Sequence, residues 1–145
     1  MESLLKNELR KLLTGRTIRD EEGWLVAIPE GSRLIYHGVT DRTGYRRIRE
    51  KETMIQAADS TENAFAPVFK ALQNIGIPVN MKTQPEALCA LCRIFLTKTV
   101  ILCVLPGQNG LVRVRAYTGQ SLLAGISCRR AISKLEKELS IHQES

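Results

Sequence analysis

The chain has 145 residues, of which 43% are hydrophobic, and its formal net charge is +6. This length and apolar content are typical of one domain around one core, and no repeat or low-complexity tract divides the sequence. Arginine outnumbers lysine among the 21 basic residues. Because the guanidinium group matches the geometry of phosphate and carboxylate groups, this composition favours an anionic partner.

The longest apolar run, residues 87–105, is unsuited to a membrane-spanning helix. Arg93 and Lys98 interrupt it, each at a cost of roughly 2.5–3.5 kcal/mol near a helix centre, and Pro106 follows it. The first residues lack the cationic start and continuous apolar core of a signal peptide. We therefore expect a cytoplasmic protein without membrane insertion. Its four cysteines lie among apolar neighbours and should be reduced thiols.

A helix is predicted at the start of the chain, where leucines recur at helical spacing and Gly15 is placed to end it. The leucines of this stripe are Leu4, Leu5, Leu9, Leu12 and Leu13. Two β-prone runs follow, at 24–28 and 33–39. Pro29 and Gly31 between them suit the second and fourth positions of a turn, so the two runs predict a hairpin.

The middle of the chain predicts a strand and then a helix. The strand falls within residues 41–56, which are rich in charge. An N-cap cluster at 59–62 and an apolar stripe that stops at Gly76 predict the helix. Pro67 restricts the residue before it, so the regular part of this helix should begin between 63 and 67.

The following region predicts a short strand at 78–83 and a further helix at 85–95, since Pro85 suits a first helical turn. Residues 99–105 are apolar on both faces, which is typical of a central strand covered on both sides. A second strand at 111–117 should pair with it as an antiparallel hairpin.

A last helix is predicted over 120–139, with one apolar stripe that packs on the sheet. Its stripe comprises Gly125, Cys128, Ile132, Leu135 and Leu139. We expect residues 1–139 to form a single α+β domain and 140–145 to form a frayed tail. The sheet should be mixed, mainly antiparallel and of about five strands, with an N-terminal helix, a C-terminal helix and two further helices.

Two groups of residues raise the question of catalysis or metal binding. Cys89 and Cys92 have C-x-x-C spacing, but a zinc site needs two more ligands, and the apolar neighbours favour a buried helix face. His37 and Cys103 could form a base and a nucleophile, yet Cys103 lies in the most apolar run of the chain. The sequence therefore favours a non-enzymatic protein with no metal and no cofactor.

Two basic segments are the strongest functional signal. Alternation along a strand places Arg113, Arg115 and Tyr117 on one face. The second segment contains Arg42, Tyr45, Arg46, Arg47 and Arg49. Arginine mixed with tyrosine suits phosphate contact together with base stacking. The alternative is a solvated strand face whose arginines pair with nearby acids, among them Glu50 and Glu52.

We therefore expect a binding or regulatory module that contacts an anionic partner, either nucleic acid or an acidic protein, through these arginine-rich strand faces. Two other functions stay open. One is a protein-interaction or oligomeric scaffold subunit, for example a homodimer, that uses the leucine-rich first helix. The other is a small enzyme or redox protein that depends on cysteine and histidine.

Overall fold

The computed structural model describes residues 2–28, 48–57, 65–94, 97–104, 110–119 and 124–143. These ranges contain three helices and seven strands. The helices are α1 (Glu2–Leu13), α2 (Phe65–Ile75) and α3 (Ala124–Gln143). The strands are β1 (Thr17–Arg19), β2 (Leu25–Ala27), β3 (Ile48–Gln56), β4 (Ile77–Pro78), β5 (Leu88–Ile94), β6 (Thr97–Val104) and β7 (Leu111–Gly119).

Five of the strands form one antiparallel sheet in the order β3-β7-β6-β5-β4, so the apolar strand β6 lies in its centre as the sequence predicts. Strands β1 and β2 form a separate antiparallel ribbon. A parallel bridge between Leu25 and Val79 ties this ribbon to the main sheet, and the N–H of Asn80 donates to the carbonyl of Leu25 at 2.8 Å. The α+β class is confirmed.

The sheet separates two apolar cores. Helices α2 and α3 cover one face, where Val112, Val114 and Ala116 of β7 are buried. Helix α1 covers the other face, where Tyr117 of β7 packs with Leu9 and further apolar residues. This alternation follows from the strand period of two. As the sequence predicts, one face of β7 is buried in a core and the other face carries Arg113 and Arg115. Tyr117 lies on the face of these arginines but is buried in the core under α1.

The predicted helix at 85–95 is wrong, because this segment contains strand β5. Ala90 and Cys92 face the core under α2 and α3, whereas Cys89 faces the core under α1. A strand buried on both faces loses its alternation of apolar and polar residues, so its pattern resembles that of a buried helix. The described chain consequently has three helices, one fewer than predicted.

The strand predicted at 78–83 is shorter and begins earlier, because β4 is Ile77–Pro78 and residues 80–83 form no strand. The helices after β3 and before the C-terminus are present as predicted. Helix α2 begins at Phe65, with Pro67 in its first turn, and helix α3 packs on the sheet through its apolar stripe. Helix α3 continues through Gln143, four residues beyond its predicted end at 139 and into the segment predicted as a tail. Strand β2 pairs with β1, a strand that the sequence pattern did not reveal. Its predicted partner, 33–39, lies outside the described residues.

Candidate anion-binding groove

A groove of about 480 Å³ lies between helix α1 and the β3–β7 part of the sheet. This volume is within the range of small-molecule sites. Its lining joins an apolar wall to a set of polar and charged groups. The lining residues are Leu4, Leu5, Lys6, Leu9, Ile48, Glu50, Lys82, Thr83, Gln84, Arg115 and Tyr117.

Helix α1 supplies the apolar wall. Leu9, Leu12 and Leu13 are buried against the sheet, so most of the leucine stripe is used within the domain. Leu5 packs partly against the same core, and Leu4 remains 59% exposed at the rim of the groove. A helix whose leucines are buried in its own domain offers little surface for the oligomeric scaffold that the sequence left open.

A turn at residues 82–84 forms a second wall, and Glu8 of helix α1 holds it in place. The Glu8 carboxylate accepts the backbone N–H of Lys82 at 2.6 Å and that of Thr83 at 2.9 Å. The Thr83 hydroxyl donates to the same carboxylate. Glu8 is only 7% exposed. Because charge-assisted hydrogen bonds are strong, this buried carboxylate fixes the position of the turn against the helix.

Arg115 supplies the central cation of the groove. Its Nε lies 3.5 Å from a carboxylate oxygen of Glu52 and 3.8 Å from one of Glu50, yet it is buried and makes no hydrogen bond. A side-chain hydrogen bond with Tyr117 is the main cause that raises the pKa of Arg115. The guanidinium group is therefore held at one end by Tyr117, and it forms only long ion pairs with Glu50 and Glu52.

Tyr117 is buried beside Arg115, with 4% of its surface exposed. Burial raises the pKa of its phenol, while the hydrogen bond with Arg115 acts in the opposite direction. The hydroxyl is therefore neutral at physiological pH and positions the guanidinium group. A buried ring cannot stack on a base, so the stacking role predicted for Tyr117 is wrong.

The arginines of β7 face acids on β3, as the solvated-face alternative predicts. The strand register places Glu52 opposite Arg115 and Glu50 opposite Tyr117. Arg113 pairs with Glu52 at 3.1 Å, with both side chains about half exposed. Arg113 does not line the groove. The two arginines therefore share a strand face but have different surroundings.

Arg49 is the one residue of the second basic segment that the structure describes, and it does not line the groove. Arg49 shares a face of β3 with Ile55, which is buried under α2 and α3, so it lies on the opposite face from Arg115. Its charge lowers the pKa of the Cys128 thiol in α3, against a larger effect of burial. The expectation that Arg49 joins Arg113 and Arg115 on one surface is therefore wrong. Arg42, Tyr45, Arg46 and Arg47 lie outside the described residues.

The cysteines are positioned as core residues. Cys89 and Cys92 occupy opposite faces of the sheet, so they cannot share a metal ion or form a disulfide with each other. Burial raises the pKa of the Cys92 and Cys103 thiols to about 12 and that of Cys128 to about 11. Such thiols are protonated and unreactive at neutral pH. His37 lies outside the described residues.

The sequence identified Arg115 and Tyr117 as site residues. It did not show that helix α1 and the turn at residues 82–84 form walls beside them. Glu8 carried a signal, because it follows Leu5 and precedes Leu12 on the apolar stripe of α1. A carboxylate on such a stripe needs partners inside the fold. The sequence carried no such signal for Lys82, Thr83 or Gln84, which reach the groove through a turn between strands.

The chain matches no protein family, no curated protein and no solved structure. In the part of the chain that the structure describes, no helix is long and apolar enough to cross a membrane. The geometry of the groove is therefore the basis for a functional proposal.

Proposed function

We propose that this protein is a binding module for a small amphipathic anion, a ligand with an apolar body and one anionic group, which it takes into the groove beside α1. The observation that carries the proposal is the position of Arg115. It places a charged guanidinium group in a groove whose other wall is formed by leucines, and its Nε is buried without a hydrogen bond.

The charges of the lining favour an anion. Among the described residues that line the groove, Lys6, Lys82 and Arg115 contribute three cations and Glu50 contributes one acid. An anionic group near Arg115 would gain charge-assisted hydrogen bonds, which are about twice as strong as neutral ones. Leu4 and Leu5 would cover the apolar body of the ligand and remove its surface from water.

Three features favour a small ligand over nucleic acid. Glu50 and Glu52 stand beside Arg113 and Arg115, where they would repel a phosphate backbone. Tyr117 is buried and offers no stacking surface. The groove is a local concavity, whereas single strands are bound along extended cationic tracks.

Among the residues that the structure describes, the lining of the groove contains neither cysteine nor histidine, which favours binding over catalysis. The one hydroxyl that could act as an aliphatic nucleophile, that of Thr83, donates its hydrogen bond to Glu8. Glu8 in turn accepts two backbone N–H groups. These bonds hold the turn in place, so Glu8 and Thr83 have a structural role in the wall of the groove.

Calorimetric titration with three probes tests the proposal. Decanoate has an apolar chain and a carboxylate, decanol has the chain alone, and inorganic phosphate has the charge alone. We expect decanoate to bind about tenfold or more tightly than decanol, since hydrogen bonds to charged groups contribute about 1.5–3 kcal/mol. Phosphate should bind only weakly. Equal affinities for decanoate and decanol, or tighter binding of phosphate than of decanoate, would contradict the proposal.

A further inference from the structure

A row of three stacked aromatic rings lies on the other face of the sheet, beside helix α2. The rings of Trp24 and Phe69 have centroids 5.5 Å apart with planes at 30°, and those of Phe69 and Phe65 are 6.1 Å apart with planes at 5°. Phe65 and Phe69 are four positions apart on α2, so they share a face of the helix. Trp24, which precedes β2, extends the row onto the ribbon.

This row is incompletely covered. Phe65 is 56% exposed and is among the most exposed large apolar side chains of the described residues. Trp24 and Phe69 are half-buried. Burying a phenylalanine side chain fully contributes about 1.5–3 kcal/mol, so a partner that covered the exposed ring would gain part of that free energy.

An acidic loop lies next to Trp24 and indicates the charge of the partner. Asp20 closes the loop by accepting the N–H of Glu22 at 3.0 Å and that of Trp24 at 2.9 Å. Glu21 and Glu22 are exposed at its tip, and Arg19 bonds the Gly23 carbonyl at its base. In a chain with a net charge of +6, this loop carries an excess of negative charge.

We propose that the aromatic row and the acidic loop together dock an arginine-containing segment of a partner protein. The guanidinium group lies on the Trp24 ring and pairs with Glu22 or Glu21, while an apolar side chain next to the arginine covers Phe65. Arginine fits better than lysine because its planar group stacks on an aromatic face and also forms paired hydrogen bonds with a carboxylate. This site is on the opposite face of the sheet from the anion-binding groove and does not depend on it.

Trp24 is the single tryptophan of the chain, so its fluorescence reports on this surface alone. The probes are three synthetic peptides in which leucine alternates with arginine, with lysine or with glutamate. The arginine peptide should change the Trp24 emission saturably and bind about two- to fivefold more tightly than the lysine peptide. The glutamate peptide should not bind.

Three variants separate this surface from the groove. Phe65→Ala and the double variant Glu21→Gln with Glu22→Gln change exposed side chains, and each should weaken the arginine peptide about two- to tenfold. Arg115→Gln should bind it like the wild type. The proposal is overturned if the arginine peptide leaves Trp24 emission unchanged, or if both surface variants bind it with wild-type affinity. Stronger binding of a single-stranded DNA oligonucleotide at Trp24 would also overturn it, in favour of base stacking.

Discussion

The carboxylate of Glu8 accepts the backbone N–H of Thr83 at 2.9 Å across a separation of 75 positions in the sequence. It also accepts the N–H of Lys82 and the Thr83 hydroxyl. One buried side chain therefore joins the helix that forms one wall of the groove to the turn that forms another. The shape of the groove depends on this link.

Replacing Glu8 by alanine should destabilise the protein by about 2–4 kcal/mol, because it leaves two backbone donors without partners in a partly buried turn. Urea unfolding monitored by circular dichroism measures this change. The control is Glu21→Ala at an exposed loop position, which should shift the free energy of unfolding by less than about 0.5 kcal/mol. Equal unfolding midpoints for the two variants would show that the link contributes nothing.

Gly76 stands where helix α2 passes into β4, and there is no room for a side chain. A Cβ atom at this position would lie 2.5 Å from the carbonyl oxygen of Leu91 and 2.9 Å from the Cys92 sulfur. Gly76→Ala should therefore destabilise the fold by about 1–3 kcal/mol. Gly125→Ala is the matched control, since a Cβ there meets no atom within 4 Å, and it should be neutral or stabilising by up to about 1 kcal/mol. Thermal unfolding of both variants tests the difference, and a neutral Gly76→Ala would refute the close approach of α2 to β5.

The buried thiol of Cys103 predicts a loss of stability in alkali. Burial raises its pKa from the ordinary 9.0 to about 12. Below pH 9 the thiol is protonated in both the folded and the unfolded chain. Between about pH 9 and pH 12 the unfolded chain releases the proton and the folded chain retains it, so stability falls by about 1.4 kcal/mol per pH unit for this group.

The measurement is urea unfolding at several pH values in this window, for the wild type and Cys103→Ala. Lysines and tyrosines titrate in the same range, so the informative quantity is the difference between the two slopes. We expect the slope of the variant to be shallower by about one proton. Identical slopes would mean that the Cys103 thiol is accessible to water.

The long periodic elements and the central strand β6 could be predicted from the sequence, whereas the short strand β1 and the buried strand β5 could not. Helices α1 and α3 each bury one stripe of side chains and expose the opposite side. Their apolar residues therefore recur at helical spacing, which the sequence shows directly. Strand β5 is buried on both faces, which removes its alternation and led to a helix prediction. Strand β1 has three residues, too few for a period, and its pairing depends on the loop that Asp20 closes.

The site was predictable to a smaller extent. Strand alternation placed Arg113, Arg115 and Tyr117 on one face, but it could not show that α1 covers Tyr117. Nor could it give the register that sets Glu52 against Arg115. Burial and cross-strand pairing depend on contacts between segments distant in sequence. For this reason the face of β7 that was predicted to be cationic and to stack on bases contributes one buried phenol, Tyr117, and one cation, Arg115, to the groove.

Glu50 lines the groove near Arg115 and competes with an anionic ligand for that cation. Glu50→Gln removes this competition without changing the size of the side chain. We expect decanoate to bind about two- to fivefold more tightly to the variant, in keeping with the modest free energy of exposed ion pairs. Decanol is the control ligand and should bind as it does to the wild type. Weaker binding of decanoate to the variant would indicate that Glu50 itself holds the ligand.

The most direct test compares Arg115→Gln with Arg113→Gln, two changes of the same kind on one strand face. Only Arg115 lines the groove, whereas Arg113 pairs with Glu52 outside it. Calorimetric titration with decanoate should show an affinity about tenfold or more lower for Arg115→Gln, with its preference over decanol lost, and an affinity within about twofold of the wild type for Arg113→Gln. Equal losses in the two variants, or no loss in Arg115→Gln, would contradict the proposal that Arg115 anchors an amphipathic anion in the groove.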